Sequence, residues 1–258
     1  MQKPCTRVRA NHLTRPFRPC LRSGFRIKTM SQNEFRTGVI KPVECVKEGF
    51  ELIKSDYWIL FAATFVAALI GAFSLYILMG AMACGLFYLY LRKIDGDPIS
   101  FDDLWKGFGW WLPGFFLMLF FIVPSIIVYG IIYVPVIMAA VMGQNLSQDE
   151  LVGLLVGAAA VDLVFIVLMV CFHTLLMFSF PLMVDRNLGV IKAITTSARA
   201  VLKNMGGVVG LILVNFGLML LGELAICIGI YFVIPVLVAG NVVAYRRVFP
   251  RTASYQGY

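Results

Sequence analysis

Lysine and arginine are missing from four long stretches of this sequence, 57–91, 107–148, 151–184 and 205–245. All 22 of them lie elsewhere: 12 in residues 1–56, 3 in 92–110, 4 in 185–205 and 3 in 246–258. Charge of either sign is scarce, at 14% of residues against about 25% in a soluble domain, while 60% of residues are hydrophobic. An ordinary water-soluble fold is therefore excluded. The period-two alternation of membrane strands is absent too, since the four stretches are apolar on every face. Histidine occurs only at His12 and His173, and there is no G-x-x-x-x-G-K-[ST], no H-E-x-x-H and no G-x-S-x-G. Enzyme is the disfavoured class. The six cysteines (Cys5, Cys20, Cys45, Cys84, Cys171, Cys227) form no C-x-x-C pair and no metal-ligand spacing, so neither metal nor cofactor is expected. Cys84, Cys171 and Cys227 read as small packing residues, and Cys5, Cys20 and Cys45 as reduced cytoplasmic thiols.

What is present is enough apolar length to cross a bilayer repeatedly, since each stretch exceeds the roughly 20 residues a spanning helix needs. The sequence predicts an all-α, polytopic transmembrane helical bundle. Short basic loops stay cytoplasmic, so an even number of crossings separates consecutive basic loops and both termini are cytoplasmic. As one helix, 57–91 would measure about 52 Å against a hydrocarbon core of about 30 Å. A hairpin turning near Gly71–Ser74 fits better. Residues 110–142 and 152–184 flank Gly143–Glu150, which has no Lys or Arg and is expected outside; Pro113, Pro124, Pro135 and Pro181 offer kinks. Block 205–245 turns back at Gly222-Glu223. The count is six spans, or eight if both long segments are themselves hairpins.

A short amphipathic segment precedes each pair of spans, giving three hairpins each led by a cytoplasmic helix. In 41–54 the apolar face is Val43, Val46, Phe50 and Ile53, with Lys47, Glu48, Glu51 and Lys54 elsewhere. In 100–109, Ser100 and Asp103 make a capping-box signal, and Phe101, Leu104, Trp105 and Phe108 follow helical spacing. In 189–203, Val190, Ile191, Ile194, Ala198, Val201 and Leu202 oppose Lys192, Thr195, Arg199 and Lys203. Such segments lie in the interface with basic groups at the headgroups. The membrane-interface residues are therefore Lys47, Trp105, Lys106, Lys192, Arg199 and Lys203, with Trp58, Trp110 and Trp111 as further anchors. The recurrence is a topological repeat, with units related by an axis along the membrane normal.

The net charge of +8 belongs to the first 29 residues, which carry eight basic residues and no acid. Residues 1–35 read as a disordered basic leader, and Met30 offers an alternative start. Nucleic-acid binding is disfavoured, because no aromatics are arranged for stacking. A single transmembrane domain is assigned to 36–248 and a short cytoplasmic tail to 249–258.

Three ionisable side chains fall within or beside the spans: Asp162, His173 and Glu223. An intramembrane charge is a functional candidate by default. Asp162 and His173 share a helical face but lie about 16 Å apart along it, too far to touch. Both Asp162 and Glu223 are near predicted outer ends, and solvation or local packing is favoured over a relay. Asn215 and Asn241 are candidates for interhelical hydrogen bonding, and Gly153-x-x-x-Gly157 and Gly206-x-x-x-Gly210 for close helix packing.

Several stretches carry a family resemblance: Gly38–Cys45, Gly80–Gly85, Ile99–Phe108, Phe180–Asp185 with Leu188-Gly189, and Ala244–Arg247. Over residues 36–248 the chain resembles a bacterial multi-pass membrane family of largely unknown function. It is similar to the membrane domain preceding the catalytic domain of some glycerophosphodiester phosphodiesterases. The resemblance implies a helical domain in the bacterial inner membrane and carries over no catalytic residue. The expected role is non-enzymatic binding of membrane lipids, or of other membrane proteins or a second copy. A transporter for a small or amphiphilic solute is the alternative, and a lipid-modifying enzyme acting through Asp102, Asp103, Asp162 or His173 comes last.

Overall fold

The computed structural model describes residues 35–74, 76–142, 147–224 and 229–251. Among them every regular element is helical. In chain order these are α1 (Pro42–Ile53), α2 (Tyr57–Phe73), α3 (Met79–Ile94), a 3-10 helix (Phe101–Trp110), α4 (Trp111–Met142), α5 (Gln148–Leu175), α6 (Ser179–Arg186), α7 (Val190–Lys203), α8 (Met205–Leu224) and α9 (Gly229–Val248). Residues 1–34, which hold most of the basic leader, lie outside the described residues.

The long helices pair as antiparallel hairpins. In the first, Thr64 of α2 sits beside Tyr90 of α3, and Gly71 lies against Met79. The α4–α5 pair is fixed by Tyr133 with Asp162 and by Phe121 with His173. The last pair is fixed by Asn215 with Asn241 and by Gly222 with Ile230. The expected turn near Gly71–Ser74 is present: the Ser74 hydroxyl donates to Gly71 O and accepts from Leu78 N–H. Gly222 and Glu223 sit in the last turn of α8, which ends at Leu224.

By length and composition, five stretches among the described residues are long and apolar enough to cross a membrane: 42–73, 101–134, 148–186, 205–224 and 229–248. The first joins α1 to α2, which begins at Tyr57, and the second runs the 3-10 helix into α4, which begins at Trp111. Helix α3 has 16 residues, about 24 Å at 1.5 Å each, and falls short of that length test. It nonetheless lies at the centre of the bundle, packed on α2, α4, α6, α9 and the 3-10 helix.

The predicted segment 152–184 is divided between two helices. Helix α5 starts earlier, where Ser147 and Glu150 form a capping box, and it ends at Leu175. The break before α6 is filled from α7: the Ser197 hydroxyl donates to Leu175 O and accepts the Phe178 N–H. Pro181 then falls in the first turn of α6, where its missing N–H costs nothing. It starts a helix rather than kinking one.

The predicted amphipathic segments divide their apolar residues between the bundle and its outer surface. The bundle-facing residues of α1 are Cys45, Gly49 and Ile53, those of the 3-10 helix are Asp103, Leu104 and Gly107, and those of α7 are Ala193, Thr196, Ser197, Ala200 and Val201. Of the predicted apolar faces, Val43 (68% exposed), Phe50, Trp105, Phe108, Ile191 (63%) and Leu202 point away from the protein. Gly49 and Gly107 let α1 and the 3-10 helix approach the bundle closely, and each of the three segments buries one large apolar residue (Ile53, Leu104 or Val201) while turning others outward. Hydropathy alone cannot separate these two kinds of apolar surface.

Of the glycines whose spacing suggested close packing, only Gly210 is tightly packed. A Cβ on Gly153, Gly157 or Gly206 would meet nothing within 4 Å. Backbone-to-backbone approaches occur instead between Gly49 and Gly240, Gly80 and Gly114, and Gly85 and Gly107. Gly207 and Gly210 receive the side chains of Ile40 and Pro42. The packed body also reaches past both assigned boundaries. Phe249 is fully buried against Phe178 and Tyr245, and Phe35 packs on Phe249 with centroids 6.0 Å apart.

Candidate functional site: the charged end of the bundle and its interfacial helices

The helix ends at one side of the bundle carry nearly all its described cations, and most of these are tied to acids. At the centre, Arg246 of α9 reaches Asp185 of α6 at 2.7 and 2.8 Å and Asp95, just past α3, at 2.7 and 3.1 Å. Arg246 is 10% exposed, with Asp95 at 15% and Asp185 at 16%. The Tyr245 hydroxyl donates to Asp185 at 2.7 Å, and Arg251 approaches Asp95 at 3.8 Å. One guanidinium thus joins three elements in a bidentate, largely desolvated arrangement, the strong form of an ion pair.

A second cluster joins α3 to the 3-10 helix. Asp103 completes the predicted capping box with Ser100 and accepts from Arg92 at 3.0 Å. Lys106 reaches the same carboxylate at 2.7 Å and lies over the Tyr88 ring. Burial pushes the Asp103 carboxyl up, but the Lys106 ammonium, the Ser100 N–H and Arg92 outweigh it and hold the group below the usual aspartate value. Elsewhere Lys93 pairs with Asp56, and Arg247 with Glu48 at 2.6 Å and Glu44 at 3.4 Å.

Among the described residues, Lys47 of α1 and Lys192 and Arg199 of α7 make no ion pair, and Lys203 only overlies the Phe35 ring at 5.6 Å. All four are exposed. Of the predicted interfacial cations, Lys106 alone is engaged by an acid.

The intramembrane candidates separate into three places. Asp162 is half-buried and accepts from the Tyr133 hydroxyl at 3.4 Å. His173 bridges two carbonyls, with Nδ1 at 2.9 Å from Met169 O and Nε2 at 3.1 Å from Phe121 O, and it stacks on the Phe121 ring. Asn215 donates to Asn241 at 3.1 Å, so the two candidates for interhelical hydrogen bonding meet each other. Glu223 is exposed at the end of α8. These residues form no common site. No group of three or more His, Cys, Asp or Glu able to hold a metal occurs among the described residues.

A cavity of about 260 Å³ lies between α2, α3 and α9, lined by Thr64, Phe65, Met79, Met82, Leu86 and Tyr231 among others. Its wall is almost entirely apolar, and Thr64 spends its hydroxyl proton on Leu60 O.

No family model, curated protein or solved structure matches this chain. The functional reading therefore rests on the geometry. The Arg246 cluster was missed from sequence because its partners are 61 and 151 residues away. The one available signal was the occurrence of single acids next to the ends of apolar blocks.

Proposed function

We propose that this chain is a non-enzymatic, multi-pass protein of the bacterial inner membrane that binds lipids or partner membrane proteins, a second copy included. Both termini are cytoplasmic in this reading, with six crossings formed by α2, α3, α4, α5, α8 and α9. The resemblance to membrane domains of glycerophosphodiester phosphodiesterases belongs to the same proposal. The observation that carries it is the shared orientation of α1, the 3-10 helix and α7. Each packs one side on the bundle and turns further large apolar side chains outward at the charged end, as an interfacial segment does.

A transporter is the second reading, favoured by the Asp162–Tyr133 contact inside the α4–α5 hairpin. The apolar wall of the α2–α3–α9 cavity argues against it, because a solute path needs polar groups near the midplane.

Native mass spectrometry of protein extracted with its surrounding lipid tests the proposal. Stoichiometric phospholipid or a partner chain is expected to remain attached. Release of bare protein would overturn the binding reading and turn attention to transport assays with Asp162→Asn and Glu223→Gln.

A further inference from the structure

The exposed surface of α7 is divided into two parallel stripes. At 100° per residue, Lys192, Arg199 and Lys203 fall within about 40° of one another on the helix circumference. Ile191, Ala198 and Leu202 fall within a similar arc about 100° away. The remaining side, through Ala193, Ser197 and Ala200, is buried against the bundle. Arg199 and Lys203 are one turn apart, about 6 Å along the axis, with Lys192 about 10 Å beyond.

Cations elsewhere at this end of the bundle are largely matched by Asp56, Asp95, Asp103, Asp185, Glu44 and Glu48. The three on α7 meet no acid among the described residues and remain exposed. Thr195, between the stripes, returns its hydroxyl to Ile191 O and Lys192 O. The surface thus offers positive charge and apolar side chains, with no acid of its own.

We propose that this face of α7 is a binding site for anionic phospholipid headgroups of the membrane in which the protein sits. Arg199 and Lys203 together clamp one phosphate, and Lys192 engages a neighbouring lipid. Ile191 and Leu202 enter the upper acyl region, which holds the cationic stripe at headgroup depth. The charge complementarity selects an anionic lipid over a zwitterionic one, whose own ammonium group competes with these side chains. The inference rests on the lipid-binding reading above and adds the site and the headgroup class.

The test uses full-length protein in nanodiscs of phosphatidylcholine mixed with phosphatidylglycerol, with retained lipid counted by native mass spectrometry. Wild type is expected to retain phosphatidylglycerol preferentially. The triple variant K192Q/R199Q/K203Q should lose that preference by roughly tenfold, since three basic groups near an anionic surface are removed and salt screens part of their attraction. Gln keeps the helix propensity of these exposed positions. The charge-preserving K192R/K203R should retain the preference, as should Lys54→Gln and a chain begun at Met30. Equal retention of both lipids by wild type, or an unchanged preference in the triple variant, overturns the α7 site. Equal retention joined to an acidic protein that the triple variant no longer holds reassigns the face to a protein partner. Wild type retaining neither lipid overturns the lipid-binding reading itself.

Discussion

Gly49 of α1 and Gly240 of α9 meet backbone to backbone: a Cβ on Gly49 would lie 2.6 Å from the Gly240 amide nitrogen. Helix α1 is thereby seated on α9, almost 200 residues later in the chain. Gly49→Ala should force α1 away from α9 and destabilise the protein by about 1–3 kcal/mol. Gly240→Ala should cost less, because its Cβ would meet the Val46 side chain at 3.2 Å rather than backbone nitrogen. Gly153→Ala, in open space, should cost nothing. Thermal unfolding in detergent ranks the three, and equal losses would contradict the packing described.

Arg246 is the only cation in direct hydrogen-bond contact with both Asp95 and Asp185 among the described residues. Arg246→Gln leaves two poorly solvated carboxylates facing each other and should destabilise by about 3 kcal/mol. Tyr245 and Arg251 offset part of the loss. Arg246→Lys should be intermediate, since a point charge cannot bond both acids bidentately. An unfolding midpoint unaffected by Arg246→Gln would remove the cluster's structural role.

Acid should weaken the link between α3 and the 3-10 helix. Asp103 is held below the usual aspartate value in the fold, so its contribution is complete above about pH 3.9, the unfolded value. It is lost as pH falls through the lower folded value. Asp103→Asn should remove that part of the acid sensitivity while lowering stability at neutral pH. Unfolding curves of the two proteins should therefore converge as pH drops.

His173 joins α5 to α4 through Phe121 O, a carbonyl that Ser125 also bonds. With that second donor in place, His173→Phe should cost only about 0.6–1.7 kcal/mol, the range of interhelical hydrogen bonds in membranes. Asp162→Asn should cost less still, because an amide oxygen accepts the Tyr133 hydroxyl equally well. Loss of a transport signal in Asp162→Asn at unchanged stability would favour the second functional reading.

Orientation is tested by single cysteines in a background lacking the six native ones. With cytoplasmic termini, Ser147→Cys at the start of α5 is labelled from outside, and Thr195→Cys on α7 only after the membrane is opened. The reverse pattern would invert the topology.

The sequence by itself determined the class and the element plan. A block without charge that exceeds a bilayer's thickness has few alternatives to a helix, and Ser100 with Asp103 announces a helix start by local hydrogen bonding alone. That Asn215 and Asn241 would each seek an interhelical partner was legible for a related reason, since an amide in an apolar helix must find one, but that they partner each other was not. Local chemistry of this kind is written within a few residues.

The tertiary structure decided what depends on neighbours distant in the chain. Which apolar side of α1 or α7 faces protein depends on how close a backbone approaches, and Gly49, Gly240 and Ser197 set that from three different helices. Likewise Asp95, Asp185 and Arg246 become one cluster only when α3, α6 and α9 end at the same level. Hydropathy reports the free energy of leaving water, which is similar for lipid and for protein interior. The choice between them is made by shape, and shape exists only once the helices are packed.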